Sequence, residues 1–158
     1  MTTSSPSITV SPSLKALAKD LSKEPPRSPR ETIGGFVLAA RMLDKCRASL
    51  NGTAGEYHFD CPLDNYLLEF TGISAREFEA FVATGADDQA VDQWIREHAK
   101  QKTPEEIAPW NNELRDKSLK DLPVKLQVYM ESYIPQFVPK GKVVYRWFDV
   151  YDYEEGRL

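Results

Sequence analysis

From Ile33 to Leu50 the chain reads IGGFVLAARMLDKCRASL. Its apolar residues, Ile33, Phe36, Val37, Leu38, Ala39, Ala40, Met42, Leu43, Cys46, Ala48 and Leu50, cover most of a helical circumference. A helix that is apolar on nearly every face must be surrounded by other elements, so the chain has to build its fold around this segment. Just upstream, SPRE at 28–31 offers Ser28 as a cap, Pro29 at the first helical position and Glu31 as the returning half of a capping box. A central helix is therefore predicted over about residues 29–50. Gly34 and Gly35 inside it cost about 1 kcal/mol each relative to alanine, which points to a close approach of another backbone or a ligand, or to a short break. NGTAG at 51–55 supplies residues that end a helix in left-handed backbone.

The flanking segments also read as helices. Leu14, Leu17 and Leu21 repeat at helical spacing up to the two prolines of SKEPP. Cys61 or Asp60 can cap a helix that Pro62 begins, carrying Leu63, Tyr66, Leu67 and Phe70, after a short extended piece EYHFD at 56–60. Capping boxes stand at SARE (74–77) and TPEE (103–106). Asp87 or Asp88 opens the helix between them, with Val91, Trp94, Ile95 and His98 on its inner side, and Pro109 limits or restarts the next helix. LPVKLQVYMESYIP reads as a further helix closed by Pro135. The final aromatic segment fits helical spacing at Val144, Trp147, Phe148 and Tyr151, although its composition also suits a strand; helix is the reading adopted. The expected fold is mainly α, a compact bundle of about six or seven helices with at most a short extended pair. Residues 1–12, rich in Ser, Thr and Pro, are expected to form a flexible or loosely docked tail ahead of a single helical domain over 13–158.

With 158 residues, 41% apolar and 28% charged, the chain can bury roughly two thirds of the surface its unfolded form exposes without any disulfide scaffold. A net charge of −4, with 24 acidic and 20 basic residues spread along the chain, leaves no basic stripe for a phosphate backbone. Nucleic-acid binding is not expected. No apolar run is long enough to span a bilayer and no secretory signal opens the sequence, so the expectation is a cytoplasmic protein with free thiols at Cys46 and Cys61 and no membrane association.

Several stretches, SPRETIGGFVLAARMLDKCRA, GEYHFDCPLD and LLEFTGI within about residues 27–73, and the closing EEGRL, resemble a family of small bacterial proteins known as a domain of unknown function. The resemblance implies a bacterial, single-domain protein and assigns no reaction, cofactor or partner.

Candidate site residues must therefore come from chemistry. Arg41, Asp44 and Lys45 form a narrow charged stripe on a helix whose other faces read as buried. Either the stripe faces water or pairs internally, Arg41 and Asp44 with each other or with the loop Arg27 to Arg30, or it lines a pocket. In the pocket reading Arg41 and Lys45 grip an anionic group, Asp44 orients them, and Arg30 and Arg47 add contacts, since a guanidinium fork suits a carboxylate or phosphate. Cys61 at a helix start has its thiolate favoured by free N–H groups, while Asp64 one turn later opposes a second anion. His58, Asp60, Cys61 and Asp64 have no second cluster to complete a metal site, so none is assigned. Trp94, Trp110 and Trp147 read as packing anchors, and Tyr145, Tyr151 and Tyr153 either form a docking surface or pack the terminus onto the bundle. GxxxxGK, GxSxG and HExxH motifs are absent, and no motif names a cofactor or decides whether the chain is an enzyme.

Two functions from different classes follow. In the first, a small anionic metabolite is bound or transformed between the central helix and EYHFDCPLD by Arg30, Arg41, Asp44, Lys45, Glu56, His58, Cys61 and Asp64. In the second, the chain is a regulatory or adaptor module that binds another protein through an aromatic surface.

Overall fold

In the computed structural model, residues 8–158 are described. Eight α-helices follow one another among them: α1 (Pro12–Leu17), α2 (Ala39–Asn51), α3 (Pro62–Thr71), α4 (Ala75–Val82), α5 (Asp88–His98), α6 (Pro104–Arg115), α7 (Val124–Phe137) and α8 (Trp147–Glu154). A single 3-10 turn, Leu119–Asp121, precedes α7. The protein is mainly α, and two isolated bridges, Ile33 with Phe36 and Ser118 with Arg146, are the only extended pairing among the described residues.

The helix starts follow the side-chain chemistry. Ser74 accepts from the Glu77 N–H, Asp87 from the Ala90 N–H, and Thr103 and Glu106 close a reciprocal capping box. Cys61 occupies the cap position of α3 and Pro62 its first turn. Pro135, expected to close a helix, lies inside α7 instead, and Pro109, expected to limit or restart one, lies inside an unbroken α6. Both are exposed, and each missing N–H leaves one helical carbonyl without its usual donor on the solvent side.

The central helix is shorter than its sequence suggests. It begins at Ala39, and the ten residues before it form turns. Ser28 and Glu31 do exchange hydrogen bonds, Glu31 Oε2 accepting from the Ser28 N–H at 3.1 Å, but they close a turn rather than launch a helix. Gly34, Gly35 and Leu38 have φ of 65°, 88° and 73°, which no right-handed helix accommodates. Ile33 and Phe36 pair backbone to backbone, and the Leu38 N–H returns to the Pro29 carbonyl at 2.8 Å. Of the two explanations for the glycine pair, both the break and the close approach are present. Gly34 lies so near Ile95 that an added Cβ would be 2.7 Å from its Cγ2.

Every residue from Ala39 to Ala48 is buried. Phe36, Val37 and Leu38 from the preceding turns, Phe78 and Val82 from α4, Val91 and Ile95 from α5, and Trp147, Phe148 and Val150 from α8 join it in one core. Phe36 meets Phe70 and Trp110 edge-on, and those two rings stack at 4.6 Å. Further out the agreement is looser. EYHFD forms turns rather than a strand, and α1 stops at Leu17, so Leu21 reaches the interior from a turn, its N–H bonded to the Thr53 carbonyl. His98 is exposed, stacked on Trp94 at 4.0 Å, not on the inner side of α5. The expected tail falls partly on residues 1–7, which lie outside the described residues; Ser11 is held by Ala83 through its backbone N–H.

Candidate functional site

The charged residues of α2 have nowhere polar to go, because the helix is buried from Ala39 to Ala48. Arg41, Asp44, Lys45 and Arg47 are each 2–4% exposed. A charge in such a place must be paired or it opposes folding. Each of the four is paired, and none of them faces water.

Arg41 forms a bidentate pair with Glu155, Nη1 to Oε1 at 2.8 Å and Nη2 to Oε2 at 2.7 Å, and Nη1 also donates to the Arg27 carbonyl at 3.2 Å. Its guanidinium carbon stands 4.9 Å from the ring centre of Tyr151 and 5.6 Å from that of Tyr57. Burial alone favours loss of its proton, but the Glu155 carboxylate outweighs this and holds Arg41 above its ordinary value. The Tyr57 hydroxyl donates to the same carboxylate at 2.9 Å, and burial, followed by the Glu155 charge, pushes its phenol up. Arg157 also pairs with Glu155.

One turn along α2, Lys45 Nζ lies 2.9 Å from Asp64 Oδ1 and 3.2 Å from Cys61 Sγ. Asp64 Oδ2 accepts from the Asp60 N–H at 3.0 Å, fixing the carboxylate. Asp44 belongs to another group. It takes the backbone N–H of Arg27 at 2.8 Å together with the Arg27 guanidinium, with Lys19 at 3.4 Å. The loop-pairing reading of Arg41 and Asp44 therefore describes their surroundings, although the two do not pair with each other. Arg47 reaches Asp88 at 2.9 Å and the Ala86 carbonyl at 3.0 Å. Arg30 sits between Asp149 and Asp152 at 2.8 and 2.7 Å.

A cavity of about 480 Å³ opens between α2, the 56–63 segment, α7 and α8. Of the residues singled out from sequence, Arg41, Lys45, Glu56, His58 and Cys61 line it. Asp64 stands one step behind through Lys45, while Arg30 and Asp44 are outside the lining. Sequence reasoning did not assign the walls to a site, reading Trp147 as a packing anchor and Tyr151 as part of a docking surface or a packed terminus. Tyr57, Tyr129, Tyr133, Trp147 and Tyr151 supply aromatic surface, and Leu63, Leu126 and Met130 supply aliphatic surface. EEGRL was a signal for Glu155, and Tyr57 lay inside a quoted motif; α7 carried no motif at all. Among the described residues no three His, Cys, Asp or Glu side chains converge as metal ligands, and no helix is long and apolar enough to cross a membrane.

Tyr133 of α7 ties that helix to the end of α8 by donating to Glu154, with Oε2 at 2.9 Å. Burial, partly countered by this bond and reinforced by the neighbouring Glu155 charge, raises the Glu154 carboxyl above 4.5. A carboxyl raised in the folded state contributes its stability in the protonated form. That contribution is full below 4.5 and is lost as pH rises through the folded value. Glu154→Gln keeps an acceptor for Tyr133 and removes the charge. It is therefore expected to melt at or above the wild-type temperature at neutral pH, the gap closing as the pH falls below 4.5. Melting curves across this range check it, and a variant that is less stable at neutral pH would contradict it.

None of the curated proteins compared with the chain matches it. The family described as a domain of unknown function, DUF5069, matches residues 23–157, a span that takes in SPRETIGG, EYHFDCPLD, the buried pairs of α2 and nearly all of EEGRL. The chain belongs to the DUF5069 family.

Proposed function

We propose that the protein binds a small organic molecule with an apolar or aromatic body and one anionic group in the cavity between α2, the 56–63 segment, α7 and α8. The observation that carries this reading is the lining itself. Four stretches distant in sequence bring aromatic walls and three cationic side chains, Arg41, Lys45 and Lys125, to one space of about 480 Å³, within the range of roughly 300–1,000 Å³ common for small-molecule sites. The division of labour follows from the pairing. Arg41 and Lys45 already hold Glu155 and Asp64, so they polarise the floor without carrying a free charge. Lys125, exposed and without a carboxylate partner among the described residues, is the cation left for the ligand's anionic group.

Thermal shift with cinnamate, and with cinnamyl alcohol as the uncharged counterpart, tests this. Cinnamate at a hundred times its dissociation constant is expected to stabilise by about 2.7 kcal/mol, a rise of roughly 5–10 °C for a domain of this size. The alcohol should shift the midpoint less, and Leu126→Trp, which fills the cavity from a half-buried position, should abolish both shifts. Equal shifts in Leu126→Trp, or none with either compound, would overturn the reading.

A second reading rests on the outer face of α7, which buries only Met130 and leaves Val124 73%, Val128 65% and Tyr129 55% exposed. In it this face seats a second copy of the chain. Sedimentation across concentration would show self-association that Val128→Lys removes while the melting temperature is kept.

A further inference from the structure

The polar groups inside the cavity are already engaged. The Tyr57 and Tyr133 hydroxyls donate to Glu155 and Glu154, the Trp147 indole N–H donates to the Tyr151 hydroxyl at 3.2 Å, and Arg41 and Lys45 hold Glu155 and Asp64. What this interior offers a ligand is mainly carbon, as ring faces and aliphatic side chains. The mouth is different. Glu56, His58 and Lys125 line the same cavity, all three are exposed, and none of their side chains has a hydrogen bond or ion pair among the described residues. Lys125 suits an anionic group, but Glu56 does not suit a ligand whose only charge is negative. A carboxylate at the mouth repels a plain carboxylate, and the repulsion turns into attraction when the ligand also carries an ammonium. Glu56 stands on the 56–63 segment and Lys125 on the first turn of α7, so the two opposite charges come from different walls. His58, as a neutral imidazole, accepts an N–H at one ring nitrogen and donates to a carboxylate from the other.

We infer that the ligand of this cavity is a free aromatic α-amino acid, with its ring inside and its ammonium and carboxylate at the mouth, on Glu56 and Lys125. This rests on the cavity being a ligand site, as proposed above, and names the class of ligand. The class follows from the charges at the mouth. One carboxylate and one ammonium, both unpaired among the described residues, call for one cation and one anion at the same end of the ligand. An aromatic α-amino acid carries both on a single carbon, a methylene away from its ring. Within a peptide the same residue has neither charge, at an N-terminus it lacks the carboxylate, and at a C-terminus it lacks the ammonium. The free amino acid is therefore the form that satisfies both groups. Arg41 and Lys45, neutralised by their own carboxylates, leave this balance undisturbed.

The probes are phenylalanine, hydrocinnamate, which lacks the ammonium, and phenylalanine amide, which lacks the carboxylate. Their dissociation constants are read by titration calorimetry on the full chain. Phenylalanine is expected to bind about three- to tenfold more tightly than either of the others, the scale of a single charge pair at a water-exposed mouth. Glu56→Gln should cancel its advantage over hydrocinnamate and leave hydrocinnamate binding unchanged or tighter. Lys125→Gln should cancel its advantage over the amide. Both positions are exposed, so the melting temperature without ligand should be kept in each variant. Leu126→Trp should abolish binding of all the probes. Hydrocinnamate binding as tightly as phenylalanine, or an advantage of phenylalanine that survives Glu56→Gln or Leu126→Trp, overturns the amino-acid assignment. The cinnamate shift reads the cavity separately: if it persists with no preference for phenylalanine, only the amino-acid assignment falls, and if it is missing together with binding of every probe, both readings fall.

Discussion

Arg41→Met lowers stability by about 3–5 kcal/mol, the usual cost of removing one partner of a buried ion pair. At about 2–4 °C per kcal/mol for a domain of this size, the melting midpoint falls by roughly 6–20 °C. The cause is what the substitution leaves behind. Glu155, whose side chain is 2% exposed, keeps the Tyr57 hydroxyl and Arg157 but loses both bidentate bonds, and the Arg27 carbonyl loses a donor. Methionine fills part of the volume between the Tyr57 and Tyr151 rings but brings no charge. A double-mutant cycle separates the pair from the rest. Arg41→Met/Glu155→Leu removes both charges and is expected to recover much of the loss, since an apolar replacement of a buried pair is often neutral or better. If Arg41→Met melts with the wild type, Arg41 is not needed for folding, and its pairing with Glu155 is spent on something else.

Gly34→Ala is the second large effect. At φ 65° an L side chain costs about 1–2 kcal/mol, and the overpacking against Ile95 adds about 1–3 kcal/mol, for a total of about 2–5 kcal/mol. The new Cβ would lie 2.7 Å from Ile95 Cγ2 and 2.9 Å from Ile95 Cβ, and Ile95 is 1% exposed with no room to withdraw. Gly34 cannot move off either, because its N–H donates to Asp92 Oδ2 at 2.6 Å. Gly52→Ala is the control. Its φ of 74° carries the same backbone cost, but nothing lies within 4 Å of the added Cβ, so it is expected to lose only about 1–2 kcal/mol. Denaturant midpoints of the two variants give the packing part by difference. Equal losses would mean that the contact with Ile95 relaxes freely.

The sequence was informative where a few neighbouring residues decide the outcome. Ser74, Asp87 and Thr103 with Glu106 mark helix starts because a cap satisfies N–H groups two or three residues away, and Pro62 marks another because its fixed φ and missing N–H suit a first helical turn. It misled at 29–38 for the same reason. Glu31 accepts from the Ser28 N–H as in a capping box, but the Ser28 hydroxyl takes the Arg30 N–H and the Glu31 N–H returns to the Ser28 carbonyl, bonds that close a turn, and Gly34, Gly35 and Leu38 in left-handed backbone keep the segment from becoming helical. The apolar run was rightly read as largely buried even though its first third, residues 33–38, is not helical. Burial follows from side-chain chemistry, whereas helicity needs a permitted backbone at every position.

The site divides along the same line. That Arg41 and Lys45 lie on an enclosed helix, and that Cys61 begins another, could be read from spacing alone. Which carboxylates meet them could not. Arg41 is paired with Glu155 from 114 positions away and Arg30 with Asp152 from 122, and no local pattern selects among 24 acidic residues at such distances. Tertiary packing made that selection, because a buried cation costs several kcal/mol unless a carboxylate is brought to it. It also placed α7, whose only buried residue is Met130, as the wall that turns a charged stripe into a cavity. Helix positions, a buried centre and the need for counter-charges are properties of the chain's order of residues; the identity of those partners, and the cavity beside Cys61, exist only once α7 and α8 have closed on α2.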